Sequence, residues 1–514
     1  MEYLVSAEEM RRADHCVIEE YGVPSLVLME RAALASVELM ERESFDLSRV
    51  LVVSGSGNNG GDGFAMARIL YLKGIEAELW FVGNPDHLSK EAALQKKICE
   101  NYGMKFVRNL PAGEYTTIVD AVFGSGLSRE VKGSYREVIE SINRHPAKVF
   151  AVDIPSGISS DDGSVQGTAV RAAVTGALAF RKLGHVLYPG TEYAGRTFLL
   201  DIGITKEGFK GQFPRVQAPD RGIFSLLPTR KAFGNKGTFG KACLMAGSRN
   251  MAGAAYLSGK AAAITGTGLV RVVTEGCNRE ILQTLFPEAV LTTEEMLSEE
   301  TLVNALSWAD AAGIGPGLST GEAAEKELAC VLTQAKIPLV LDADALNILS
   351  KHPDWLKKGD TPKILTPHMG EMVRLSGHSV EELKQKPLEL AAAYAKEHEV
   401  ILVLKDARTV VTDGERIVLN TTGNNVEIWK GEVYIDGQRL PGDDSYGKIE
   451  DPGLAAEPFL LGEDEYFVLG DNRNDSIDSR EPEVGAVRRE DILGRAVFRV
   501  WPLTEFGFLS RKRG

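Results

Sequence analysis

Asn58, Asn59 and Asp62 lie inside the glycine-rich run Gly55-Ser56-Gly57-Asn58-Asn59-Gly60-Gly61-Asp62-Gly63. Amide and carboxylate side chains placed so closely can coordinate a cation or grip a hydroxyl. The backbone N–H groups of a glycine turn that opens a helix suit a phosphate. Asp120 and Asp153 each end a further apolar run, in Val119-Asp120-Ala121-Val122-Phe123-Gly124 and Ala151-Val152-Asp153-Ile154-Pro155-Ser156-Gly157. A carboxylate there points into a crevice, where it can hold a cation or move a proton. One such aspartate alone would more often cap a turn; two of them beside the amide-bearing turn favour a site. A fourth polar stretch is Gly184-His185-Val186-Leu187-Tyr188-Pro189-Gly190.

The elements that must hold these residues alternate. Ser6 with Glu9 forms a capping box, and Met10, Ala13 and Val17 share a helical face. A second helix is expected after Pro24, from Val27 to Arg42. Strands are expected near 50–54, 77–82, 117–122 and 148–153, and helices near 63–73, 88–102 and 134–144. This βαβ pattern implies a largely parallel sheet with helices on both faces. Residues 206–238, punctuated by Gly208, Gly211, Pro214, Pro219 and Pro228, read as an inter-domain linker. A second alternation follows, with strands at Lys241–Met245, Leu269–Thr274 and Val400–Lys405 and a small-residue helix from Met251 to Thr265.

At 514 residues the chain exceeds one ordinary core, and its net charge of -14 argues against a general nucleic-acid binder. Five scattered cysteines and eight histidines without ligand spacing point away from a disulfide scaffold or zinc site. With no long apolar run and no leader pattern at Met1–Leu4, a cytoplasmic, non-membrane protein is expected, as a homo-oligomer.

GxGNNGGDG, VDAxFGxG and AVDIPSG, in that order over residues 1–205, resemble the NAD(P)H-hydrate epimerases. That family acts on NADHX and NADPHX, nicotinamide cofactors whose ring has gained water, and interconverts their R and S forms at C6. The resemblance implies that the hydrate is held by Asn58, Asn59, Gly60, Gly61 and Asp62 with Gly124, Ser125, Gly126, Leu127, Ser128, Arg129 and Glu130. It places potassium (K+) on Asn59, Asp120 and Ser156, and gives Asp153 as the substrate-contacting catalytic acid/base.

The second half carries Gly313-Ile314-Gly315-Pro316-Gly317, Leu341-Asp342-Ala343-Asp344 and Thr366-Pro367-His368-Met369-Gly370-Glu371. In order, these resemble the ADP-dependent NAD(P)H-hydrate dehydratases, a ribokinase-like α/β family. Ala254, Gly317 and His368 would line the hydrate site, and Lys405, Asp406, Ala407, Arg408 and Thr409 would contact the phosphates of ADP (or ATP), with Mg2+ as a further candidate. The two halves in this order are the architecture of the bifunctional NAD(P)H-hydrate repair enzymes. The pattern stops after Asn424: the family's GxGD turn, which supplies an anion hole and an activating Asp, does not occur in residues 425–514.

Tyr466 to Arg480 carries the GDNRxxSxDSR box of the type I signal peptidases, and residues 426–510 resemble the end of that family. Its nucleophilic Ser and Lys base belong to earlier boxes that do not appear here, so Ser476 is expected to be structural.

The expected fold is therefore α/β: a Rossmann-like parallel-sheet epimerase domain (1–210), an incomplete ribokinase-like domain (225–424) and a β-rich tail (426–514). The expected function is epimerisation of R- and S-NAD(P)HX, with ADP-dependent dehydration of the S form implied but impaired. The alternatives are an epimerase with a non-catalytic second half, a signal-peptidase-type serine hydrolase, or a ribokinase-type kinase.

Overall fold

A computed structural model describes residues 1–110, 115–230 and 233–421, and beyond them 425–429, 432–435, 438–439, 448–456, 459–461, 465–469, 474, 478–481, 484–488, 498–499 and 507–508. The chain forms two compact units, Met1–Thr421 and Thr422–Gly514.

In the first unit the strands are, in chain order, β1 (Glu2–Val5), β2 (Arg49–Ser54), β3 (Glu76–Phe81), β4 (Phe106–Val107), β5 (Thr117–Ala121), β6 (Lys148–Val152), β7 (Val174–Leu178), β8 (Arg181–Lys182), β9 (Arg196–Leu200) and β10 (Val216–Ala218). They continue as β11 (Lys241–Met245), β12 (Leu269–Glu275), β13 (Val290–Glu294), β14 (Ala311–Ile314), β15 (Leu339–Leu341), β16 (Lys363–Leu365), β17 (Ile401–Leu404), β18 (Val410–Thr412) and β19 (Ile417–Leu419). A seven-stranded parallel sheet runs β4-β3-β2-β5-β6-β7-β9. The order reverses between β2 and β5, the switch point where a crevice opens beyond the strand ends.

The helices around this sheet are α1 (Ala7–His15), α2 (Ser25–Arg42), α3 (Asn58–Leu72), α4 (Lys90–Asn101) and α5 (Ser134–Arg144). Helix α1 starts where the capping box requires: the Glu9 N–H donates to Ser6 Oγ (3.2 Å) and the Ser6 N–H to Glu9 Oε2 (2.8 Å). Apolar strand faces pack on both sides, with Val50, Val52 and Phe150 toward one layer and Leu51, Val53 and Ile118 toward the other. Strands buried on both faces read as continuous apolar runs, which is why β2 is legible in the sequence.

Two readings need correction. Helix α3 begins at Asn58, not Gly63, so Gly60, Gly61 and Gly63 lie inside it. They serve close packing more than turning: a Cβ on Gly60 would stand 2.0 Å from the Gly55 carbonyl oxygen, and one on Gly63 would stand 2.6 Å from Ala121 Cβ. The segment 206–238 is more than a linker, because its β10 pairs antiparallel with β1 and parallel with β19. That strand joins both halves into a twelve-stranded sheet, β13-β12-β11-β14-β15-β16-β17-β18-β19-β10-β1-β8. The halves also share a core, in which Leu4, Leu183, Val186 and Leu187 pack with Val410, Ile417 and Leu419.

In the second unit, β20 (Asn425–Trp429) and β21 (Glu432–Ile435) pair antiparallel, as the hairpin reading expected. They pack over a small core of Ile428, Val433, Ile449 and Ala455. Of the peptidase-like box, Asp478 and Arg480 form a buried ion pair (2.7 Å), whereas Ser476 lies outside the described residues. No described helix is long and apolar enough to cross a membrane.

Candidate functional site

The crevice of the seven-stranded sheet gathers the polar ends of three strands. After β2, Gly57 caps α3 without a side-chain hydrogen bond, so the first N–H groups of the helix keep their capacity for an anion. Near the end of β5, Asp120 is fully buried and accepts from the Ser156 hydroxyl (2.6 Å) and the Ser156 N–H (2.8 Å). The Phe123 N–H donates back to Ser156 Oγ (2.8 Å), tying the loop after β5 to the loop after β6. Gly124 lies against Asn59, where a Cβ would stand 3.2 Å from its carboxamide. Ser160 donates to the Ser125 carbonyl (3.1 Å), and Glu130 pairs with Lys132 (2.8 Å) at the outer rim. Asn59 lies against Gly124, and Asp120 and Ser156 are bonded to each other beside that loop, while Asn58, Ser128, Arg129 and Glu130 are exposed.

Asp153 follows β6 with φ 66°, a left-handed conformation unusual outside glycine. Strain of this kind persists where the surroundings over-determine it. Here the Asp153 N–H donates to the Gly176 carbonyl (3.0 Å), and His185 Nε2 lies 2.7 Å from the Asp153 carbonyl. Because His185 Nδ1 accepts from the Lys182 N–H (2.9 Å), the imidazole is neutral with its proton on Nε2, which donates to Asp153. Lys182 Nζ donates to Asp153 Oδ1 and to the Leu178 carbonyl (2.9 Å).

The electrostatics follow from burial. Desolvation pushes Asp153 up, but the Lys182 charge and hydrogen bond, with His185 and the Leu178 N–H, outweigh it and leave the carboxyl below its ordinary value. Desolvation and then the Lys182 charge push His185 down to about 3. Burial raises Asp120 to about 6, against the Ser156 hydrogen bonds. Asp62, fully enclosed on α3, is raised well above the ordinary value by burial and then by Asp153 and Asp14. Burial also raises Asp14 to about 6, opposed by Lys182 and helped by Asp153. Three carboxylates therefore sense one another around a single ammonium group.

Asp14 and Lys182 were not found from the sequence. Asp14 had a readable signal: it sits four residues after Met10, on the inward face of α1. Lys182, in Phe180-Arg181-Lys182, had none.

As a potassium site, Asn59, Asp120 and Ser156 supply an amide, a carboxylate and a hydroxyl, the oxygen donors that hard cations take. The buried Asn59 Nδ2, which has no partner among the described residues, is a hydrogen-bond donor and suits an acceptor oxygen of a bound substrate, leaving the amide oxygen for the ion. The residues fit the ion.

A second crevice lies beyond β11, β14, β15, β16 and β17. Gly247 and Ser248 donate to the carbonyls of Pro316 (3.0 Å) and Gly317 (2.7 Å). Gly317, at φ 63°, abuts the helix Ala252–Ile264, and a Cβ there would stand 2.8 Å from Ala254 Cβ. His368 bridges to Lys405 between β16 and β17, and Lys405 Nζ donates to Asp342 Oδ1 (3.0 Å). Ala254 and Gly317 thus meet at one side of this crevice, and His368 and Lys405 at another. Arg408 points elsewhere: its Nε donates to the Val186 carbonyl (2.8 Å), and its guanidinium lies over the Tyr188 ring in the first half. Asp406 and Ala407 are exposed, and Thr409 donates to the Asp406 carbonyl (3.3 Å).

Residues 25–184 match the family described as YjeF-related protein N-terminus, 242–431 match NAD(P)H-hydrate dehydratase, and 416–501 match signal peptidase, peptidase S26. The last two overlap around the expected junction. A bifunctional NAD(P)H-hydrate repair enzyme of Moorella thermoacetica is 35% identical over 446 residues, 82% of this chain and 84% of its own. An NAD(P)H-hydrate epimerase of Oenococcus oeni is 48% identical over 202 residues, 39% of this chain and 96% of its own. Among solved structures, an ADP/ATP-dependent NAD(P)H-hydrate dehydratase of Bacillus subtilis, co-crystallised with ATP and Mg2+, is 35% identical, with a TM-score of 0.34, covering 38% of this chain and 69% of that one.

Proposed function

The chain belongs to the family of bifunctional NAD(P)H-hydrate repair enzymes, and from that premise we propose that its working site is the crevice of the seven-stranded sheet, where R- and S-NAD(P)HX are interconverted. The observation that carries this reading is Asp153: buried, ionised and held in a strained conformation at the switch-point crevice.

C6 of the hydrate bears a hydroxyl and the ring nitrogen. Asp153 takes the hydroxyl proton, the electron pair left on oxygen forms a C6 aldehyde as the C6–N1 bond breaks, and Asp153 returns the proton to N1. Re-closure on the other aldehyde face inverts C6, with no atom gained or lost. A shuttle of this kind needs a carboxylate that is ionised at neutral pH, which Asp153 is. The uncapped N–H groups of α3 suit the pyrophosphate. Bound at Asn59, Asp120 and Ser156, potassium would supply positive charge beside the buried Asp120 carboxylate.

The second crevice is read as the nucleotide-dependent dehydratase site, with Ala254, Gly317 and His368 toward the hydrate and Lys405 toward the phosphates of ADP or ATP with Mg2+. Dehydration there is reduced, because no GxGD turn follows β19 in the sequence.

The test is direct. Purified chain, potassium and an R-enriched NADHX mixture, without nucleotide, should relax to the epimer equilibrium; an unchanged mixture would sink the reading.

A further inference from the structure

We propose that Lys182 is the positioning residue of the epimerisation: its ammonium clamps one carboxylate oxygen of Asp153 and leaves the other to accept the substrate's proton. The proposal rests on the reading of the first crevice as the epimerase site.

The bonding of Asp153 is lopsided. Oδ1 takes both the Lys182 ammonium and the Leu178 N–H (3.3 Å), while among the described residues no donor reaches Oδ2. Asp153 retains 6% of its surface and Lys182 only 1%. The ammonium is therefore walled off behind the aspartate, out of reach of a substrate, and acts through Asp153. His185 completes the clamp by holding the Asp153 carbonyl, and its Nδ1 is fixed in turn by the backbone of Lys182. Two neighbouring residues, Lys182 and His185, thus fix opposite ends of one aspartate.

Strand β7 meets Asp153 with backbone groups alone, and the charged and titratable groups come from three other elements. Asp14 comes from α1, Asp62 from α3, and Arg181, Lys182 and His185 from β8 and the turn after it. Lys182 is the largest influence holding the Asp153 carboxyl down against burial, so removing the ammonium would move that carboxyl up. Lys182 can be held this firmly because its strand is built into the larger sheet: β8 pairs with β1, and Leu183, the next residue, is buried in the core shared with the second half.

The experiment compares Lys182→Met, which keeps length and removes charge, with Lys182→Arg, which keeps charge. For Lys182→Met, kcat/KM for epimerisation at pH 7 should fall about 100-fold, mostly in kcat. The acid limb of its pH profile should move up by about one unit or more. Lys182→Arg should keep the wild-type limb. A uniform loss at every pH, or a wild-type profile in Lys182→Met, would overturn the proposal.

A second measurement does not depend on activity. Carboxyl 13C NMR, with Asp153 assigned by comparison with Asp153→Asn, should show Asp153 titrating below the usual aspartate range in the wild type and above it in Lys182→Met. If Lys182→Met does not fold, the wild-type titration decides, and a value at or above the usual range overturns the proposal. A wild type that fails to interconvert the epimers while Asp153 titrates low would instead refute the assignment of the reaction.

Discussion

The two crevices of the first unit follow one plan and differ in completeness. Each opens beyond the carboxyl ends of parallel strands, each places glycines where backbones approach closely, and each carries a lysine–aspartate pair, Lys182 with Asp153 and Lys405 with Asp342. In the first, the pair is buried and every residue expected from the family motifs is present. In the second, the pair is half-buried, and the glycine turn that should follow β19 has given way to the hairpin of β20 and β21. The strands of the first unit remain paired through β19 despite that replacement. Chemistry is carried by the loops and order by the scaffold, so one can be lost without the other.

The sharpest way to break the comparison is at the first crevice. Asp153→Ala should lower epimerisation about 10^3-fold, within the range that a positioned acid/base contributes, while thermal unfolding shows the fold retained. An active variant would remove the distinction between the crevices. Next, with ADP and Mg2+, recovery of NADH absorbance from S-NADHX should run about 100-fold slower than in a relative that keeps the GxGD turn, the size of effect expected when an oxyanion-type site is lost. Full recovery would show that the second crevice is complete after all.

Limited proteolysis tests the scaffold. The sequence, with its apparent linker, suggests a resistant fragment near residues 1–210. Strand β10, paired to β1 and to β19, instead predicts a fragment ending near residue 421. A stable product ending near 210 would contradict the shared sheet.

Two smaller effects refine the picture. Asp14 is raised to about 6, so between roughly pH 4 and 6 the fold binds a proton that the unfolded chain has released. Its contribution to stability is therefore lost as pH rises through that window. Asp14→Asn should raise the unfolding temperature relative to wild type more at pH 8 than at pH 5; an equal change at both would refute the assignment. Arg408→Ala should cost about 1 kcal/mol through the lost Val186 hydrogen bond, measured by denaturant unfolding, with little change in the stabilisation that ADP confers. A large loss of ADP stabilisation would place Arg408 in the nucleotide site.

Much of the first half was legible because its central strands are buried on both faces and its helices are punctuated. The apolar runs ending in Asp120 and Asp153, and the capping box at Ser6, mark their elements directly. Strand β7 was missed: Val174-Thr175-Gly176-Ala177-Leu178 carries a glycine and a threonine in its interior, and only its pairing between β6 and β9 makes it a strand. Strands β8 and β10, of two and three residues, are too short to carry a period, so the joining of the halves was invisible. The site was legible to the extent that its residues lie in local motifs. Lys182 escaped because its role depends on a partner 29 residues away, brought close only by the sheet. For Arg408 the family resemblance implied a phosphate contact, and its Nε donates to the Val186 carbonyl.

The most direct test of the account depletes one epimer continuously. R-NADHX is mixed with this chain, potassium, and an intact S-specific dehydratase with its nucleotide, and NADH formation is followed. The account predicts that all of the R-NADHX is drawn through to NADH when the chain is present, and that Asp153→Ala in its place leaves the R epimer behind. R-NADHX that persists unchanged beside the wild-type chain would contradict it.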